Sequence, residues 1–209
     1  ALPVYLAALD DPDPSLQRGS LGALLAIRDR IEPELRRIAA QGGRSPAAAL
    51  ALRRVLARFE TVKGWSVLGP LANLPNGWST RHGAIDAAAT FADLQARPIR
   101  WSPAVEADDG IVDLAALRST DAGVLATAHA EIPSSSPSQA LIVIEADGPI
   151  EVFLNGQAVN PPTADDHGPN YFAANLLQGA NHLTVVSRPG PSSWRFAVSI
   201  SQPERLTTQ

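Results

Sequence analysis

Apolar residues recur at two different periods along this chain of 209 residues. After Asp13-Pro14 they fall at Leu16, Ala23, Leu24, Ile27 and Ile31, with Ser20 on the same side. That three-four spacing makes one apolar face of a helix. The Asp-Pro pair supplies an N-cap acceptor and a first-turn ring that needs no N–H. The signal returns at Ser45-Pro46, 32 positions on, with Leu52, Val55, Leu56 and Phe59 on one side and Arg53, Arg54 and Arg58 on the other. Between them, "PELRRIAAQGG" predicts a short helix that starts at Pro33 and stops at Gly42-Gly43. "PVYLAAL" predicts one more short helix at the start.

From Trp65 the period falls to two. "WSVLGPL", "RPIRW", "GIVDL", "GVLATAHAEI", "QALIVIEA", "IEVFLNG", "NYFAANL", "NHLTVVSR" and "SWRFAVSIS" read as strands, and turn clusters bound nearly all of them. "AIDAAATFADLQ" reads as an irregular crossover. Asn155-Gly156 suits a two-residue type I′ turn, which needs positive φ at both central residues. Before it, Ile150, Val152 and Leu154 face one way and Glu151 and Phe153 the other. Gly179 and Asn181 suit a turn with positive φ ahead of a core strand. Trp65 and Trp194 suit large core fillers with a bondable N–H. So many strands with no strong helix between them argue for a β-sandwich rather than βαβ units.

Composition narrows the chemistry. A hydrophobic fraction of 45% permits a buried core, and the absence of Cys excludes disulfides, thiolate metal sites and thiol catalysis. No apolar run approaches the ~20 residues that span a bilayer. The chain also has no Met, and so no initiator; it is expected to be a processed protein or a piece of a longer one, in an extracytoplasmic location. The net charge of −4 divides into +2 over residues 1–62 and −6 over 63–209. Neither part has the basic stripe that nucleic acid requires.

Two resemblances follow from quoted motifs. "LDDPDPSLQRGSLGAL", Leu9 to Leu24, resembles the HEAT-type repeat, with an acidic-Pro turn, Arg18 and the Ala23-Leu24 pair. "SPAAALALRRVL" shares the Ala-Leu run but lacks the Asp-Pro turn. The second part resembles galactose-binding-like jelly-roll modules. The motifs are "W-x-V-x-G-P" at Trp65 to Pro70, "DGPIEVFLNG" at Asp147 to Gly156, "LLQGANHLTVV" at Leu176 to Val186, and "W-x-F-x-V-x-I" at Trp194 to Ile200. Related sugar-binding modules hold calcium on paired acidic residues in the turn where this chain has Ala146 before Asp147, so that pair is missing. Helical repeats followed by such a sandwich look like pieces of large secreted bacterial multidomain proteins, which implies that any catalysis lies in other domains.

Candidate sites are few. Trp78, Arg81 and His82 in "NGWSTRHG", with Tyr171 from "GPNYF", form the set that would serve carbohydrate recognition: flat rings beside polar groups. Trp78 would otherwise plug one end of the sandwich. Asp165, Asp166 and His167 offer oxygen and nitrogen ligands to a divalent cation such as Ca²⁺, although such loops are usually solvated turns. No other cofactor is expected. A triad can be drawn from Ser134, His129 and Asp147, but no G-x-S-x-G elbow supports it. His129 and His182 otherwise read as structural or solvent-facing strand residues. Asp108 and Asp109 are adjacent in one turn, unlike the separated carboxylates of glycoside cleavage.

The sequence thus predicts an α+β fold: a short α-helical, HEAT-like N-terminal segment (1–62) packed on an antiparallel jelly-roll β-sandwich (63–204), with a tail at 205–209. The expected function is a non-catalytic binding or scaffolding module of a larger extracytoplasmic protein. Its partners would be another protein or neighbouring domains of the same polypeptide, with no nucleic acid and no membrane insertion. The alternatives are a carbohydrate-binding module, with a glycan as ligand, and a hydrolase.

Overall fold

A computed structural model describes residues 2–8, 11, 13–41, 52, 55–56, 59–74, 85–107, 110–117, 123–159 and 170–201. Three helices come first: α1 (Leu2–Ala8), α2 (Pro14–Ala26) and α3 (Arg28–Ala40). Asp13 caps α2 as its sequence demands, its carboxylate accepting from the Ser15 N–H at 2.8 Å. The helix does not run on to Ile31. Ile27 leaves helical geometry at φ −117° and ψ 18°.

The next helix then begins at Arg28, so Pro33 lies inside α3 rather than at its start. Proline there removes one internal hydrogen bond. Burial compensates: Leu35 and Ile38 of α3 enter a cluster with Leu24, Leu52, Val55 and Leu56, and Ile31 packs against it. Leu52, Val55, Leu56 and Phe59 are helical, in agreement with their spacing. The Ser45-Pro46 start lies outside the described residues.

The rest of the fold is antiparallel sheet. A six-stranded sheet runs β10-β9-β12-β7-β1-β4, and a five-stranded sheet runs β11-β8-β13-β6-β5. The first comprises β1 (Ser66–Leu71), β4 (Ser102–Pro103), β7 (Leu125–Ser134), β9 (Ile150–Leu154), β10 (Gln157–Ala158) and β12 (Gly179–Ser187). The second comprises β5 (Val105–Glu106), β6 (Val112–Asp113), β8 (Ser138–Ala146), β11 (Asn170–Leu176) and β13 (Arg195–Ser201). One core draws on both. Ala126, Ala128, Ala130, Val152, Leu154, Leu183 and Val185 of the first sheet meet Ile142, Ile144, Phe172, Phe196, Val198 and Ile200 of the second. Alternate side chains point inward along each strand, which makes this a β-sandwich.

Trp65 and Trp194 are core residues, 2% and 1% exposed. Trp65 meets Phe196 edge to face at 5.2 Å and donates Nε1–H to the Val62 carbonyl at 3.0 Å. Trp194 donates to the Ser187 hydroxyl at 3.0 Å. Each ring is buried with its one polar atom satisfied.

All nine runs read as strands contain strand residues. Some two-residue elements fall outside those runs. "AIDAAATFADLQ" carries β2 (Phe91–Ala92), which pairs with β3 (Pro98–Ile99) as a separate ribbon. Asn155 and Gly156 adopt φ +51° and +77°, as the type I′ turn requires. Gly179 has φ +95°, but Asn181 does not share the turn geometry. It is a fully buried residue of β12.

The connection between helices and sandwich is itself a strand-like piece. β6 pairs with β13 only at Arg195 and Phe196. Beyond them the edge of β13 is taken by residues 60–62. The Val62 N–H donates to the Val198 carbonyl at 2.8 Å, and Ile200 N–H donates to the Glu60 carbonyl at 3.2 Å, flanking a bridge of Thr61 with Ser199.

Candidate functional site

Strand alternation sends a second set of side chains to the outer face of the six-stranded sheet. Register places Ala158, Phe153, Thr184, His129, Ser66 and Pro103 in one row across all six strands. In the next position His182 of β12 faces Glu131 of β7, and on the other side Thr127 stands between Leu68 and Val186. Rings therefore alternate with hydroxyls and carboxylates on rigid strands.

Part of this face is covered. Leu68, Leu71, Leu125 and Val186 form a small apolar cluster against which Leu74, Phe91, Ile99, Trp101 and Phe153 pack. Trp101 meets His129 edge-on at 6.4 Å, and His129 stacks on His182 at 5.5 Å with 27° between the planes. His129 is only 8% exposed. His182 and Phe153 are half-buried, while Glu131 and Glu151 are exposed at the rim. Two buried polar atoms here lack a hydrogen-bond partner among the described residues: Thr127 Oγ1 and His182 Nδ1. Such atoms are uncommon in a packed interior.

A cleft of about 420 Å³ opens beside it, at the seam with the helices. Its walls are residues 59–63 on one side and Glu131, Ile132, Pro133 and Ile200 on the other. Glu131 thus belongs to both the outer face and the cleft. Glu60, one of the lining residues, accepts from Arg36 of α3 at 2.9 Å, and Arg36 also donates to Glu32 at 2.6 Å. Burial pulls the guanidinium pKa down, but the hydrogen bonds to Glu60 and Glu32 outweigh it and hold the value above normal.

Asp147 accepts from Arg195 Nε at 3.0 Å. Burial raises its pKa, yet the bonds from Arg195 and Ser193 prevail and hold it below the usual carboxylate range. Asp147-Gly148 is pressed on Pro189-Gly190 so closely that a Cβ at Gly148 would collide with the Arg188 carbonyl. That contact is the reason for a glycine after Asp147. The Glu106 carboxylate, which sequence reasoning passed over, accepts from the Trp65 N–H at 2.7 Å and the Gly64 N–H at 3.2 Å.

The triad is not assembled. Ser134 and His129 lie five residues apart on β7, and odd and even positions of that strand face opposite sides. Ser134 Oγ donates to the Ser136 carbonyl at 2.7 Å, and Asp147 follows β8 in the other sheet. Of the carbohydrate set, Trp78, Arg81 and His82 lie outside the described residues. Tyr171 is not in a loop: its backbone is part of edge strand β11, opposite Val143 in the five-stranded sheet, and its side chain is outside the described part. Asp165, Asp166 and His167, and also Asp108 and Asp109, lie outside as well. Among the described residues no group of three ligating side chains is positioned to hold a metal ion, and no helix is long and apolar enough to cross a membrane.

No protein-family model matches this chain, and no curated protein matches it. Solved structures share parts of its shape. A β-glucosidase from Kluyveromyces marxianus is 10% identical, with 66% of this chain and 14% of that chain covered and a TM-score of 0.40. A family 35 carbohydrate-binding module from Clostridium thermocellum is 19% identical over 36% of this chain and 69% of its own, with a TM-score of 0.29. An anti-sigma factor domain-containing protein from Clostridium clariflavum is 11% identical over 68% and 44%, with a TM-score of 0.39. The chain spans about a seventh of the β-glucosidase's length.

Proposed function

We propose that this chain is a non-catalytic binding and scaffolding module of a larger extracytoplasmic protein, gripping a neighbouring domain or a protein partner. The observation that supports this is the outer face of the six-stranded sheet. It aligns rings, hydroxyls and carboxylates across rigid strands, and it ends in half-exposed Phe153 and His182 beside exposed Glu131 and Glu151. The HEAT-like and galactose-binding-like characters of the two parts belong to the same proposal.

The second reading is a carbohydrate-binding module. Leu74 and Phe91, on either side of the segment that carries Trp78, Arg81 and His82, both pack on this face. Titration calorimetry with the adjoining domains and with soluble oligosaccharides separates the readings. The first expects a domain affinity that Phe153→Ala and His182→Ala weaken at least tenfold, a loss of about 1.4 kcal/mol. A saccharide affinity abolished by Trp78→Ala establishes the second in its place. Turnover of ester or glycoside substrates, lost on His129→Ala, overturns both.

A further inference from the structure

Among the described residues, asparagine is followed by glycine only at Asn155-Gly156. Asparagine is a thermolabile residue. A glycine after it makes it more so, because no Cβ hinders the next backbone nitrogen from approaching the side-chain carbonyl carbon. The Gly156 nitrogen gives up its proton and bonds to Asn155 Cγ. The Cγ–Nδ2 bond breaks, and Nδ2 leaves as ammonia with that proton. Water then opens the five-membered imide at either carbonyl, which leaves aspartate or isoaspartate.

The fold holds Asn155 away from this reaction. Its φ is +51°, in the type I′ turn, and its N–H donates to the His182 carbonyl at 2.8 Å. Its Oδ1 accepts from the His182 N–H at 2.9 Å, and its Nδ2 donates to Asn181 Oδ1 at 2.9 Å. The backbone and both ends of the side-chain amide are thus fastened to β12. Ring closure needs rotation about the Cα–Cβ and Cα–C bonds of Asn155, and it expels the nitrogen that Asn181 holds. Neither product fits the closed turn. Aspartate sets an oxygen against Asn181 Oδ1, acceptor against acceptor. Isoaspartate adds a methylene to the backbone of a two-residue turn that sets the register of β9 on β10.

We propose that Asn155 is a latent deamidation site, guarded by β12 and open to reaction only when the β9–β10 turn lifts from that strand. Each opening exposes the residue to an irreversible mark, and the mark removes the Nδ2 donor that Asn181 needs.

The test incubates the chain at neutral pH and counts aspartate and isoaspartate at position 155 by peptide mapping and mass spectrometry. The same chain in urea is the unfolded reference. Asn76-Gly77, the second such pair in the sequence, shows in that reference that the reaction is running. Native Asn155 is expected to react at least about thirtyfold more slowly than in urea, the factor for two side-chain bonds. Asn181→Ala removes one of the two and is expected to speed the native reaction at least about fivefold. Val198→Ala weakens the sandwich from the core side of β13, far from this turn, and is expected to leave the rate unchanged. Equal rates in the native and unfolded parent overturn the proposal, whether or not Asn181→Ala folds. So does a folded Asn181→Ala with no acceleration, or one that Val198→Ala matches.

Discussion

Asn181 offers the sharpest test of how the sandwich is held together. Its side chain is fully buried in β12. Oδ1 accepts from the Leu177 N–H at 2.8 Å and from Asn155 Nδ2 at 2.9 Å, while Nδ2 donates to the Leu177 carbonyl at 2.8 Å. Longer bonds reach the carbonyls of Gly179 at 3.3 Å and Ile132 at 3.4 Å. The amide can point only one way, because the Leu177 N–H is purely a donor. One residue thus ties the β11–β12 turn to β7 and to the β9–β10 hairpin. Asn155 answers by accepting from the His182 N–H at 2.9 Å.

Asn181→Ala removes three short bonds. Leu177 is 57% exposed, so water partly replaces them. At about 1 kcal/mol net for each bond, the expected loss is about 3 kcal/mol. That is a large share of the roughly 5–15 kcal/mol that holds a domain folded. Asn181→Asp keeps the acceptor but turns a second oxygen toward the Leu177 and Gly179 carbonyls. Its carboxylate is buried among acceptors, so the folded state favours the protonated form and the pKa rises. The damage is then greatest at neutral pH and fades as the pH falls and the O–H becomes a donor. Urea unfolding followed by tryptophan fluorescence measures both variants, with an unchanged m-value as the check on two-state behaviour. A loss below about 1 kcal/mol for Asn181→Ala, or an Asn181→Asp curve flat from pH 7 to pH 4, refutes the reasoning.

Further outcomes follow from other positions. Gly156→Ala, at φ +77°, should cost about 1 kcal/mol in the same assay, and Gly156→Asn less. Leu35→Ala should cost about 2–5 kcal/mol, seen as an early loss of helical dichroism, because Leu35 is fully buried in the helical cluster. Asp147 has a depressed pKa, so its bond to Arg195 is complete above the ordinary carboxylate range, near about pH 4, and is lost as the pH falls through the lower folded value. Thermal melts should therefore show a shallower acid limb for Asp147→Asn than for the parent. Trp194→Phe should leave Ser187 without its bonded N–H inside the core and cost about 1–3 kcal/mol.

Much of the fold was legible because each element carried its own local signal. Asp13-Pro14 announced a helix start, and alternation announced the long strands and their inward faces. The type I′ hairpin was written in Asn155-Gly156. What escaped was fixed by distant partners. β2, β4 and β5 have two residues each, too few to show a period. Pro33 is a good first-turn residue, and only the burial of Leu35 and Ile38 explains a helix that begins earlier. Asn181 looked like a turn residue because its partners, Leu177, Asn155 and Ile132, can be matched to it only in three dimensions. The outer face was half visible: His129 and His182 were seen as strand residues. Their stacking depends on the β7–β12 register, which no single strand encodes.

The way residues 60–62 lie along β13 bears on how this protein can be divided. A cut just before Lys63, where the change of sequence pattern invites one, would strip a neighbour from the middle of a sheet. The Val198 carbonyl and the Ile200 N–H would lose their partners, and Ser199, fully buried, would come to light. Bare ladder groups of that kind recruit whatever strand is at hand. An isolated sandwich would be prone to stick to its own copies, whereas one that keeps Glu60, Thr61 and Val62 would bring its own plug.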